Sequence, residues 1–158
     1  MITIKTNVKN KRCFYNLSAS LENYLETIAI LKKRKRYARI GDIAKHLNVK
    51  SSSVNVAINF LLNKGFVIHE KYGYVDLTEY GEEIAVEIQL KHEVLYKFLN
   101  SLLLVNGKTA DKEACKIEHS ICVDTIKRLR RFHNFLENKF LKNNKNVVNL
   151  REHLEKTS

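Results

Sequence analysis

The sequence predicts a mainly α fold in which a winged helix-turn-helix is joined to a second, all-helical half. Three observations carry this reading. Two short segments with helical apolar spacing, one on Ile40, Ile43, Ala44 and Leu47 and the next on Val54, Ala57, Ile58, Leu61 and Leu62, are separated only by Asn48-Val49-Lys50. Two alternating apolar runs, 66–70 and 74–77, then flank a glycine-containing turn at 71–73, the pattern of a β-hairpin. Beyond it the chain shows long 3.6-residue periodicities, and it contains no proline to interrupt a helix.

The elements follow in order. Residues 1–17 hold Lys5, Lys9, Lys11 and Arg12 and no acid, so they read as a basic arm with room for a short strand at Ile2–Ile4. A first helix over Ser20–Lys33, capped by Ser18 or Ser20, carries the stripe Leu21, Tyr24, Leu25, Ile28 and Leu31. The run 32–36 puts five cations at its C-terminal end, where the helix dipole favours them. Helix two lies within 37–47, and helix three runs from Ser51 or Ser52 to the stop at Gly65. Thr78 opens a long helix to about Leu104 through Ile84, Ile88, His92, Leu95, Leu99 and Leu102. Thr109 opens another to about Ile121, and Asp124 a third through Ile126, Leu129, Phe132, Phe135 and Leu136. The polar tail has room for a turn or two around Val147–Leu154. The expected organisation is an arm (1–17), a winged helix (18–77), a helical domain (78–140) and a tail (141–158).

Charge separates the two halves. Residues 1–76 carry 14 basic and 5 acidic side chains, whereas residues 77–136 carry 9 of each. A basic module on a neutral one suits nucleic-acid binding joined to assembly. No stretch approaches the ~18–20 apolar residues of a membrane span. Three cysteines without framework spacing make the reducing cytoplasm the expected location, and the lack of an apolar span makes a membrane partner unexpected.

Within the second half, Cys115, Glu118 and His119 are three and four residues apart and share one helical face. A thiol, a carboxylate and an imidazole together make a half-site for a divalent transition metal. A metal site in a chain with a winged helix suggests a sensor. On helix three, Ser52, Ser53, Asn55, Val56 and Asn59 lie off the core stripe. The serines and asparagines can donate to phosphates or base edges, and Val56 can meet a thymine methyl. Phe60 is expected to pack inward. Arg39, Lys50, Lys64 and Lys71 are the candidate phosphate contacts. No phosphate loop, nucleophile elbow or His-Glu-x-x-His run supports an enzyme. The competing readings are a metal-independent dimeric winged-helix protein and, less favoured, a metal-dependent hydrolase.

Seven landmarks, in order, resemble the diphtheria toxin repressor/manganese transport regulator family of metal-dependent transcription regulators. They are 21–26 (LENYLE), 37–44 (YARIGDIA), 52–54 (SSV), 70–72 (EKY), 77–81 (LTEYG), 91–92 (KH) and 117–119 (IEH). Each is weak alone; their order and spacing carry the resemblance over about residues 18–138. It implies a homodimer on a double-stranded operator, a repressor of metal-uptake genes, and a divalent metal between the halves. The implied ligands are Asn23, Glu26, His92, Cys115, Glu118 and His119. Manganese-type members have carboxylates at the positions of Cys115 and Asn23. Iron-type members have Cys at the position of Cys115 but no acid at that of Glu26. The chain is therefore a hybrid: Fe(II) or Mn(II) is expected, with Zn(II), Co(II) and Ni(II) compatible. The second iron-type site would need an acid and a histidine where Tyr96 and Asp111 stand. The twenty polar residues after the last long helix are too few for the SH3-like domain of the iron type. Dimerisation is expected through the last two long helices, burying Ile121, Ile126, Leu129 and Phe132.

Overall fold

The computed structural model describes residues 17–69, 73–139 and 144–155. Helix α1 (Ala19–Lys35) begins where the Ser18 side chain accepts the Leu21 N–H at 3.3 Å, and stops where Arg36 turns left-handed. A strand absent from the sequence reading follows, β1 (Ala38–Arg39), too short for any periodicity to announce it. Helix α2 (Ile40–Leu47) ends at left-handed Asn48, and α3 (Ser51–Asn63) completes the helix-turn-helix. Val54, Ala57, Ile58 and Leu61 are buried as expected; Leu62 is 39% exposed, because it sits about 100° around the helix from Leu61.

Strands β2 (Val67–His69) and β3 (Tyr74–Leu77) form the antiparallel hairpin, Val67 opposite Leu77. The hairpin's other edge pairs with β1, Ala38 opposite Val75, so the order is β1-β3-β2. The arm, with its strand at Ile2–Ile4, and the turn at 70–72 lie outside the described residues.

Helix α4 (Glu79–Lys97) starts where Thr78 accepts the Gly81 N–H and ends in a π-helical turn, Phe98–Leu102. Then come α5 (Gly107–Glu118), capped by the Asn106 side chain, α6 (Val123–Lys139) and α7 (Asn144–Glu155). The tail thus holds a full helix rather than a turn or two.

Two cores meet along α4. Ile84, Ala85 and Ile88 pack with α1, α3 and the hairpin. One to three turns later, Val94 and Leu95, with Leu99, pack with Ala110, Ala114 and Ile126. A single rigid helix therefore carries both hydrophobic centres, and the site lies beside it. Ile126 is already buried within the chain, so it is not held back for a partner; Phe132 and Phe135 are the α6 residues left 51% and 56% exposed. Among the described residues no helix is long and apolar enough to cross a membrane.

Candidate metal centre

The site forms where the end of α5 meets α1 and α4. Cys115 and Glu118 lie on α5, and His119 caps its end. His92 comes from α4, and Glu22, Asn23 and Glu26 come from α1. Ligand atoms of Cys115, Glu118 and His119 all lie within 4.8 Å of one another.

Glu118 is the centre of this arrangement. It is fully buried, and its Oε2 accepts from His92 Nδ1 at 2.8 Å. Its Oε1 has no hydrogen-bond partner and lies 3.4 Å from His119 Nε2. The same Nε2 is 3.0 Å from Asn23 Oδ1, and His119 Nδ1 is 2.6 Å from Glu22 Oε2. His92 Nε2 faces Asp111 Oδ1 at 3.2 Å.

The electrostatics are those of a crowded anionic pocket. Burial first, and then the charge of Glu118, pushes the Glu26 carboxyl above its usual range. Burial pushes the Cys115 thiol up, with Glu118 and Glu26 adding to it. The hydrogen bond to Glu118 raises His92 to about 8, against the opposing effect of burial. A buried carboxylate oxygen without a donor, beside further carboxylates, is costly unless a cation compensates it. The donor set offers carboxylate, imidazole, thiolate and amide oxygen, so these residues fit a divalent transition ion. Glu26 and His92 also line one open groove, with Ile30, Lys33, Arg34 and Gln89.

All six ligand candidates from the sequence therefore lie around this pocket. Glu22 was missed. The signal was an acid beside the apolar stripe of α1, one position before Asn23; only its partner, 97 residues away, marks it. Tyr96 packs against the second core, with its hydroxyl near Gly107.

The expected nucleic-acid face is less uniform. Lys50, Ser52, Ser53, Asn55, Val56, Asn59 and Lys64 are all exposed along α3 and its ends. Val56 is 72% exposed; Phe60, expected to pack inward, is 41% exposed with Lys64 Nζ 5.8 Å from its ring centre. Arg39 is engaged at the sheet: its guanidinium donates to the Tyr74 hydroxyl at 2.7 Å and lies over the rings of Tyr37 and Tyr74. Lys71 lies outside the described residues. Of the run 32–36, Lys32 pairs with Asp76 and Lys35 with Asp42.

One pH dependence follows. His92 is held protonated below about 8 in the metal-free chain. Its raised value means this contribution to stability is complete below the unfolded value of about 6.5 and disappears as pH rises through about 8. A cation needs the neutral ring, so the sign reverses for metal affinity. Apparent affinity for Mn(II), measured by chelator competition, should rise about tenfold per pH unit per displaced proton between pH 6 and 8. A flat profile would remove His92 from the ligand set.

Residues 16–75 match the family described as the iron dependent repressor, N-terminal DNA binding domain. Residues 78–143 match its metal binding and dimerisation domain. An uncharacterized HTH-type transcriptional regulator of Methanocaldococcus jannaschii is 38% identical over 117 residues, which are 73% of this chain and 94% of that protein. The HTH-type transcriptional regulator MntR of Geobacillus thermodenitrificans is 36% identical over 110 residues, 70% of this chain and 77% of that one. Among solved structures, T. acidophilum IdeR superposes with a TM-score of 0.63 at 33% identity, covering 70% of this chain. The manganese regulator SloR superposes with a TM-score of 0.66 at 27% identity, covering 73%. The chain spans about half the length of these two, 53% and 54%. Two family domains in order, on a winged helix and a helical second half, place the chain in the iron-dependent repressor family of metal-dependent DNA-binding transcription regulators.

Proposed function

We propose that the chain is a cytoplasmic homodimer that represses divalent-metal uptake genes when Fe(II) or Mn(II) fills the pocket between α1, α4 and α5. The DNA-binding part is residues 18–77 and the metal-binding and dimerisation part is residues 78–140. The observation that carries the reading is the buried Glu118 carboxylate, one oxygen without a hydrogen bond, inside the Cys115–Glu118–His119 cluster, whose His119 meets Glu22 and Asn23 of the other part. Asn23, Glu26, His92, Cys115, Glu118 and His119 would hold the ion. When bound, it supplies the positive charge that offsets repulsion between Glu26 and Glu118. Glu26 and Asn23 move with α1, and through it with α3; His92, Cys115, Glu118 and His119 belong to the other part. Joining them sets the angle between the parts, and with it the separation of two α3 helices in a dimer. In α3, Ser52, Ser53, Asn55, Val56 and Asn59 would read the major groove, with Arg39, Lys50 and Lys64 as phosphate contacts. Phe132 and Phe135 supply exposed apolar surface on α6 for the partner copy.

The donor set spans two preferences. Cys115 favours the softer Fe(II), Co(II), Ni(II) and Zn(II); Glu26, Glu118 and Asn23 favour Mn(II).

The test is linkage. Operator DNA, selected from a random duplex pool against the Mn(II)-loaded chain, should bind more tightly with metal, and metal should bind more tightly with that DNA by the same factor. Glu26→Ala should weaken this coupling at least tenfold while the dimer, read by sedimentation, persists. Equal DNA affinity with and without Mn(II) or Fe(II) under reducing conditions would favour the metal-independent reading instead.

A further inference from the structure

We infer that Glu22 is a positioning residue: it fixes the ring of His119 so that Nε2 faces the cation site, and it ties α1 to the end of α5 without being a ligand. This rests on the metal-site reading above. Glu22 stands in the first turn of α1, where the helix dipole tolerates a negative charge. Its side chain is nevertheless 4% exposed, and that of His119 is 7% exposed. Burying a carboxylate is costly without a strong partner. The partner is His119 Nδ1 at 2.6 Å, contributed from the other half of the chain.

The geometry divides the ring into two edges. Nδ1 is committed to Glu22. Nε2 faces Asn23 Oδ1 at 3.0 Å and Glu118 Oε1 at 3.4 Å, on the side of the Cys115–Glu118–His119 cluster. A neutral imidazole offers one lone pair, and the hydrogen bond at one nitrogen decides that the lone pair is on the other. An acceptor at Nδ1 therefore presents Nε2 to a cation. Without it, a ring with its proton on Nε2 would point an N–H at the site. Glu22 itself lies across the imidazole from that edge, so it acts through His119.

The same bond is a strut between the two parts. It joins α1, which packs in the winged-helix core, to the residue that caps α5. Orienting the ligand and linking the halves are thus one interaction, and the removal of Glu22 should loosen both.

Two full-length variants test this. Glu22→Gln keeps an oxygen that can accept from Nδ1–H, whereas Glu22→Met keeps the length and helix propensity but offers no acceptor. Long-range ¹H–¹⁵N spectra of the Zn(II)-loaded chain should show Nε2 metallated and Nδ1–H retained for the wild type and for Glu22→Gln. Glu22→Met should show mixed patterns and a ~10–100-fold loss of Zn(II) affinity, the usual size for a lost outer-shell partner. A wild-type pattern in Glu22→Met, or equal losses in both variants, would overturn the inference. If the wild type binds no Zn(II), Mn(II) or Co(II), the metal-site reading fails on its own, and the strut is judged separately. In that case Glu22→Met, His119→Gln and the double variant are melted without metal. The double variant should lose no more than the worse single one; additive losses would mean there is no link.

Discussion

Glu118→Gln is expected to abolish the metal response while leaving the metal-free chain folded. The wild-type carboxylate is fully buried, with no hydrogen bond at Oε1 and Glu26 nearby to repel it. An amide removes the buried charge, still accepts from His92 Nδ1 through its oxygen, and turns an NH₂ toward His119. Losing the charge facing His92 costs the stability that this pair supplies below about pH 8, offset in part by relief of the repulsion from Glu26. The same change replaces an anionic ligand by a neutral one. A loss of about 100-fold in Mn(II) or Fe(II) affinity is expected, equivalent to about 2.7 kcal/mol. The check is thermal unfolding with and without metal. Wild type should gain about 2.7 kcal/mol at a hundredfold excess of free metal over Kd, and Glu118→Gln should gain little at that concentration. A variant that keeps the full gain would place the ion elsewhere.

The second large effect concerns the fold. Gly81→Ala should destabilise the chain severely, whereas Gly41→Ala should not. A Cβ on Gly81 would fall inside contact distance of the Phe66 carbonyl oxygen and 3.0 Å from its carbon. That carbonyl cannot move freely, because it accepts from the Thr78 N–H at 3.1 Å, and the Thr78 side chain in turn accepts from Gly81 N–H at 3.0 Å. The start of α4 is locked onto the strand that follows α3, and a methyl group would pry them apart. The cost is about 3 kcal/mol, or ~6–12 °C in Tm for a chain of this size. At Gly41, in exposed α2, nothing lies within 4 Å of the added Cβ. There alanine should be neutral or stabilise by up to ~1 kcal/mol, through helix propensity. Equal melting temperatures for the two variants would refute the packing argument.

Gly81 also shows why one of the sequence landmarks matters. The 77–81 stretch (LTEYG) was informative as a pattern, but the pattern does not say what its glycine touches. The contact with Phe66 explains it: α4 must approach that backbone more closely than any side chain allows.

The fold class, the helix-turn-helix, the hairpin and the family are legible in the residues alone. These rest on short-range periodicity, capping and turn chemistry, which are properties of neighbouring residues. The spacing of Cys115, Glu118 and His119 was likewise legible, because one helix face is a local object. Strand β1 was not, since two residues carry no period and Ala38–Arg39 is a strand only because β3 lies beside it. Helical spacing already puts Phe132 and Phe135 about 120° and 180° around α6 from Ile126, but only packing shows which of these faces closes a core within the chain and which stays exposed. Packing alone brings α1 against the end of α5, which gives Glu22 its partner His119 and leaves Glu118 Oε1 without a hydrogen bond. Charges distant along the chain interact only after packing has excluded water between them, so their pairing is decided by the assembled fold.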